Sequence, residues 1–145
     1  ITGKIRAFIG RAMDNTIIPK YKVHPSGVKL PIYPGDVELV QGSVILVEGI
    51  FDCLNLIDKG ITNVVCVFGT NNIDVYKMSL LKVLGASIVY TMFDGDEAGE
   101  KATERVIDLG EKINIRVERV PIDKNSDPAE LSQERVNKLG EYLYG

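Results

Sequence analysis

Two apolar runs in this chain each end in acid. Val44-Ile45-Leu46-Val47 stops at Glu48-Gly49, and Ser87-Ile88-Val89-Tyr90-Thr91-Met92-Phe93 stops at Asp94-Gly95-Asp96. If both runs are parallel strands of one sheet, Glu48, Asp94 and Asp96 meet at its C-terminal edge, where open α/β sheets bind ligands. Carboxylates crowded together repel one another, and a cation placed among them relieves the repulsion. The donor type suits Mg²⁺, which takes oxygen ligands and is held by one or two carboxylates together with substrate phosphates. Two such ions can flank an in-line phosphoryl or nucleotidyl transfer. A carboxylate not committed to metal can act as general base on an attacking hydroxyl. Asp52 lies one helical turn beyond Glu48 and can face the same site. Gly49 permits close backbone approach by a ligand. The competing task for each acid is a helix cap: Glu48 or Asp52 against the positive end of a helix dipole, Asp96 as an N-cap. Asp94 ends a strand and fits that task least.

The elements that must position these acids follow from apolar spacing. Residues 4–12 alternate, which predicts a strand with Ile5, Ala7 and Ile9 on one face, closed by a turn at Asp14-Asn15. Residues 19–35 carry Pro19, Pro25, Pro31 and Pro34 and read as extended strand and loop. From residue 42 the pattern changes to short continuous apolar runs alternating with helical periods. Strands are predicted over 44–47, 63–68, 87–93 and 115–120, and helices over 51–59, 73–84, 97–112 and about 129–142, the last open to a break. Alternating strands and helices indicate parallel βαβ units. The expected fold is α/β, a Rossmann-like core of about four mostly parallel strands flanked by helices. It is preceded by a small β-rich segment, with the division between residues 1–41 and 42–145.

With 145 residues, 45% of them hydrophobic and 26% charged, the chain suits one globular domain with a real core. No apolar run approaches the roughly 20 residues of a membrane span, so no membrane partner is expected. No signal peptide is expected either, since no basic segment leads into an apolar one at the start. A first residue of Ile1 leads us to expect a piece of a longer protein. Cys53 and Cys66 sit inside apolar patterns, which suits reduced, buried thiols in the cytoplasm. No Cys-x-x-Cys pair is present and His24, in a Pro-rich loop, is the single histidine, which argues against zinc and against a histidine-dependent nucleophile. The net charge of −3 is uneven: residues 1–35 hold Lys4, Arg6, Arg11, Lys20, Lys22 and Lys29 against Asp14, a net +5 that leaves −8 for the remainder. A basic arm ahead of an acidic body suits a polyanion backbone on the arm and metal on the body, though uneven surface charge is also common.

The motifs match a family. Val47-Glu48-Gly49-Ile50-Phe51-Asp52, Phe68-Gly69-Thr70, Phe93-Asp94-Gly95-Asp96-Glu97-Ala98-Gly99 and Ser126-Asp127-Pro128-Ala129-Glu130-Leu131 resemble, in order and spacing, the Toprim domain of bacterial DnaG-type primases and related phage primases. Gly3-Lys4-Ile5-Arg6-Ala7-Phe8-Ile9-Gly10-Arg11-Ala12 and Pro19-Lys20-Tyr21 are similar to the strand and the Pro-Lys-Tyr motif ahead of that domain, with Lys4 in place of an arginine. The resemblance implies a primase catalytic core that makes RNA primers on single-stranded DNA. It implies Glu48, Asp94 and Asp96 as catalytic acids holding Mg²⁺ (or Mn²⁺), with Asp52 and Asp127 as further metal-site acids. It implies Arg11, Lys20, Lys4, Lys29 and Gly49 as nucleotide or nucleic-acid contacts, nucleoside triphosphates as substrates, and a replicative helicase reached through regions outside this chain. A primase also carries a zinc-binding module, absent here, so metal binding is expected to survive in this segment and primer synthesis to be weak. A Toprim nuclease or RNA-processing phosphodiesterase would use the same acids, and a non-catalytic binding module would use them as caps.

Overall fold

The computed structural model describes residues 4–145 apart from Arg6, Asn15 and Asn125. Gly3 of the first basic motif, Arg6 of the expected first strand and Asn15 of the expected turn lie outside the described residues. The chain divides into two compact units, residues 1–30 and 31–145.

The first unit carries an antiparallel hairpin. Strand β1 is Phe8–Arg11 and β2 is Tyr21–His24, paired Phe8 with His24 and Arg11 with Tyr21. Cross-strand residues share a face, and the Arg11 guanidinium lies over the Tyr21 ring, 5.9 Å from its centroid. Asp14 makes the expected turn by accepting hydrogen bonds from the Thr16 N–H and hydroxyl, both 2.8 Å. The strand is shorter than alternation alone predicts: Lys4, Ile5 and Ala7 are not in it.

The second unit is a parallel α/β sandwich. Its elements run β3 (Ser43–Val47), α1 (Ile50–Asp58), β4 (Val64–Cys66), α2 (Val75–Val83), β5 (Ile88–Thr91), α3 (Glu97–Ile113), β6 (Arg116–Arg119) and α4 (Gln133–Tyr144). The sheet order is β4-β3-β5-β6, all neighbours parallel. Every residue of β3 is buried, as a central parallel strand requires. Successive side chains point to opposite faces. Val44 and Leu46 pack with Met78, Leu81 and Val106 of α2 and α3, while Ile45 and Val47 pack with Cys53, Leu56 and Val136 of α1 and α4. The helix α1 after β3 and the helix α3 after β5 therefore leave adjacent strands toward opposite faces of the sheet. Their divergence makes the C-terminal ends of β3 and β5 the switch point, the place where doubly wound sheets bind ligands.

Residues 31–41 belong to this unit, ahead of the division expected from composition. Ile32 and Val37 are buried in its core, and Tyr33 forms an antiparallel bridge with Cys66 through two backbone hydrogen bonds of 3.0 and 2.6 Å. The expected last helix is broken: a 3-10 turn, Pro128–Glu130, precedes Leu131 in extended backbone, and α4 starts afresh at its N-cap Ser132. Pro128 starts the turn, and the Ser132 hydroxyl accepts the Arg135 N–H. Both cysteines are free and buried, and burial pushes their thiols up, to about 11 for Cys53 and about 12 for Cys66, which keeps them neutral and unreactive. No helix among the described residues is long and apolar enough to cross a membrane.

A buried polar link joins the start of the sheet to the chain's last helix. The Asn63 amide donates to the Ser43 carbonyl (2.9 Å) and accepts from the Tyr144 hydroxyl (2.6 Å). Asn63→Ala removes both bonds from a buried position and is expected to lower the unfolding free energy by about 2 kcal/mol in urea titration. Tyr144→Phe is expected to lower it by about 1 kcal/mol.

Candidate metal centre

Three acids converge at the switch point. Asp52, Asp94 and Asp127 each offer a carboxylate oxygen, and these oxygens all lie within 4.8 Å of one another. They come from three places: the first turn of α1, the loop after β5, and the N-cap of the 3-10 turn after β6.

Each is fixed by local backbone chemistry. Asp52 is the third residue of α1, and its Oδ2 accepts the N–H of Gly49, the N-cap, at 2.7 Å. This is half of a capping box, in which an acid reaches back to an orphan N–H. A Cβ on Gly49 would sit 3.0 Å from that same oxygen. The glycine is thus small because the Asp52 carboxylate lies against it. Asp127 is the N-cap of its turn, with Oδ1 accepting the Ala129 N–H at 2.8 Å. The two acidic loops are joined directly, since the Gly95 N–H donates to the Ser126 carbonyl at 3.1 Å. Asp94 is held by the approach of α3. A Cβ on Gly99 would lie 2.1 Å from the Asp94 carbonyl oxygen, so the helix can reach this position only with glycine there. This accounts for the glycine that closes the Phe93–Gly99 motif.

The remaining acids expected from the sequence lie outside that group of three. Asp96 is the N-cap of α3, its Oδ1 accepting the Gly99 N–H at 2.8 Å. Glu48 is half-buried at the end of β3, and its carbonyl accepts the Gly69 N–H at 3.1 Å and the Cys66 thiol at 3.4 Å. Phe68 (φ 57°) and Gly69 (φ 103°) both occupy positive φ to make that contact, which is the physical content of the Phe-Gly-Thr motif. The cap on α1 is served by Asp52, not Glu48. Arg11, Lys20, Lys4 and Lys29 are exposed residues of the first compact unit. Asn55, which the sequence did not single out, donates its amide to the carbonyls of Pro128 (2.9 Å) and Leu131 (3.2 Å). An asparagine inside a helix beside a lysine four residues on was the available signal.

The electrostatics fit a hard divalent cation. Asp52 is 6% exposed. Burial raises its carboxyl from 3.8 to about 7; the Gly49 N–H opposes this, and the hydrogen bond and charge of Asp127 and the charge of Asp94 add to it. Three oxygen donors, one of them resisting ionisation chiefly because it is buried and further because its neighbours are anions, form a set that Mg²⁺ or Mn²⁺ would neutralise.

Two outcomes follow. A carboxyl raised from 3.8 to about 7 on folding contributes stability that is complete below pH 3.8 and lost as pH rises through 7. Without divalent cation, Asp52→Asn is therefore expected to raise the Tm at pH 8 by several degrees and to change it little at pH 4, read by circular dichroism melts. Gly99→Ala is expected to lower stability by about 1–3 kcal/mol and to weaken Mn²⁺ binding at least about tenfold, as α3 and the Asp94 backbone move apart. Unchanged Mn²⁺ affinity would show that Asp94 is not held this way.

Residues 45–132 match the Toprim-like family. The DNA primase of Chlamydia muridarum is 41% identical over 92 residues, covering 63% of this chain and 15% of that protein. The DNA primase of Aquifex aeolicus is 34% identical over 140 residues, covering 91% of this chain and 28% of that protein. The solved structure of the Aquifex aeolicus primase zinc-binding and RNA polymerase domains matches with a TM-score of 0.73 at 28% identity, covering 94% of this chain and 36% of that one. A DnaG primase catalytic domain bound to ssDNA shares the fold with a TM-score of 0.73 at 22% identity, covering 94% of this chain and 47% of that one. The chain spans 15% and 28% of the length of these two curated relatives. A parallel sheet with acids at its switch point, matched over residues 45–132, places the chain in the Toprim-like family.

Proposed function

We propose that this chain is the catalytic-core segment of a DNA primase, acting in Mg²⁺-dependent nucleotidyl transfer to make RNA primers on single-stranded DNA. The observation that carries the reading is the convergence of Asp52, Asp94 and Asp127 at the switch point of a sheet whose relatives are DNA primases. A bound Mg²⁺ (or Mn²⁺) would supply charge neutralisation on a triphosphate and a lower pKa for an attacking 3′-hydroxyl. Asp52, Asp94 and Asp127 are the residues that would hold it. Glu48, at the adjacent strand end, is the proton acceptor for the hydroxyl or a further ligand. Asp96 joins it as an acid at the switch point, its position set by its cap on α3. Arg11, Lys20, Lys4 and Lys29 supply positive charge for template or triphosphate, and this charge falls in the part of the chain that carries the hairpin. Gly49 keeps the backbone low beside Glu48. Substrates are nucleoside triphosphates and the template is single-stranded DNA, which one fold relative binds. A replicative helicase would engage regions of the full-length protein outside this chain, and the working compartment is the cytoplasm.

Metal binding belongs to this segment, whereas full primer synthesis belongs to the longer protein that carries it. Calorimetric titration with Mn²⁺ is expected to show saturable binding by the chain, weakened at least about tenfold by Asp94→Asn. The full-length protein, given Mg²⁺, ribonucleotides and single-stranded DNA, is expected to join ribonucleotides, and EDTA to stop it. Cutting of the DNA without incorporation would replace this reading with a hydrolytic one.

A further inference from the structure

We propose that Asn55 is a positioning residue of the carboxylate centre, acting through Asp127; the role rests on the metal reading above. Asn55 lies on the same helix as Asp52, three residues on, so one rigid element can set two of the three acids. Asp52 it carries directly. Asp127 it reaches through the turn that Asp127 caps.

The amide's orientation is assigned from its hydrogen-bond partners. Lys59, four residues on, donates its ammonium to Asn55 Oδ1. An ammonium has no acceptor, so the atom it meets is the amide oxygen and the amide nitrogen faces away. That nitrogen donates to the Pro128 carbonyl at 2.9 Å and to the Leu131 carbonyl at 3.2 Å. Its two hydrogens thereby bracket the whole 3-10 turn, Pro128–Glu130, from one side chain. The turn's own restraint at its start is the Asp127 cap on Ala129. The Pro128 carbonyl also accepts the Leu131 N–H, at a longer 3.4 Å, so the shorter Asn55 bond reinforces the turn's own closure. A second clip lies just outside: Gln133 Nε2 donates to the Lys59 carbonyl at 2.9 Å, tying the start of α4 to the end of α1. Outer partners that orient a ligating carboxylate commonly govern affinity by 10- to 100-fold without touching the metal.

Asn55→Ala separates this role from a general loss of fold. Alanine is a better helix former than asparagine, so α1 itself is not weakened, and circular dichroism melts of each variant verify this. In Mn²⁺ titrations of the chain, Asn55→Ala is expected to weaken binding about tenfold. In an Asp127→Asn background the same change is expected to weaken it less than twofold, because its route to the centre is already gone. Amide hydrogen exchange of residues 127–131 is expected to speed up in Asn55→Ala with or without Mn²⁺. Gln133→Ala, which cuts the neighbouring clip, is expected to leave Mn²⁺ affinity unchanged. Equal losses in both backgrounds, or parental affinity in Asn55→Ala, would overturn the proposal. A parent chain that binds no Mn²⁺ would overturn the metal reading and this role with it, and is told apart because the parent itself fails.

Discussion

Like charges held close together in a place that water barely reaches are the constraint on which the site depends. Three carboxylate oxygens within 4.8 Å repel one another, and the most buried of them, on Asp52, resists ionisation up to about pH 7. Beyond the hydrogen bond between Asp52 and Asp127, such a cluster does not hold itself together, so the acids are pinned from outside. The pins are backbone contacts: the Gly49 N–H on Asp52, the Ala129 N–H on Asp127, and the close packing of Gly99 on the Asp94 backbone. Two of the three glycine-bearing motifs in this unit are explained by what a side chain would strike. The repulsion stored there is what a divalent cation would relieve.

The sheet supplies the frame for those pins. Because β3 and β5 are neighbours and their helices leave toward opposite faces, both strand ends lie at one switch point. Helix α1 and the turn after β6 then converge on it from one face and α3 from the other. Glu48 is tied in by the Phe68-Gly69 turn, whose positive φ values aim the Gly69 N–H at the Glu48 carbonyl. Strain of this kind is retained at a functional edge when surrounding contacts over-determine it.

Much of this was legible in the sequence. The parallel α/β class and the order of its elements follow from the apolar runs, and Asp94, which follows one of them, is one of the three grouped acids. Membership of the tight group was not legible: helical spacing brought Asp52 toward Glu48, yet Asp52 turns to Asp94 and Asp127 because its carboxylate is drawn to the Gly49 N–H. Asp127 was named by motif alone, since no periodicity places a loop residue 33 positions after Asp94 beside it. The break before α4 needed Pro128 and the Ser132 cap to be weighed together. Asn55 escaped because a polar residue on a half-exposed helix position looks like solvated surface until its two carbonyl partners, 73 and 76 residues away, are known.

The claim that these acids form a cation site is tested most directly by proton release on Mn²⁺ binding, measured by calorimetry in buffers of different ionisation enthalpy. A ligand must lose its proton to bind metal. With Asp52 at about 7 in the cation-free protein, the account predicts release of about one proton per Mn²⁺ at pH 6, falling toward zero above pH 8, and no such pH dependence in Asp52→Asn. Binding that releases no proton at pH 6, or that is untouched by Asp52→Asn, would contradict it.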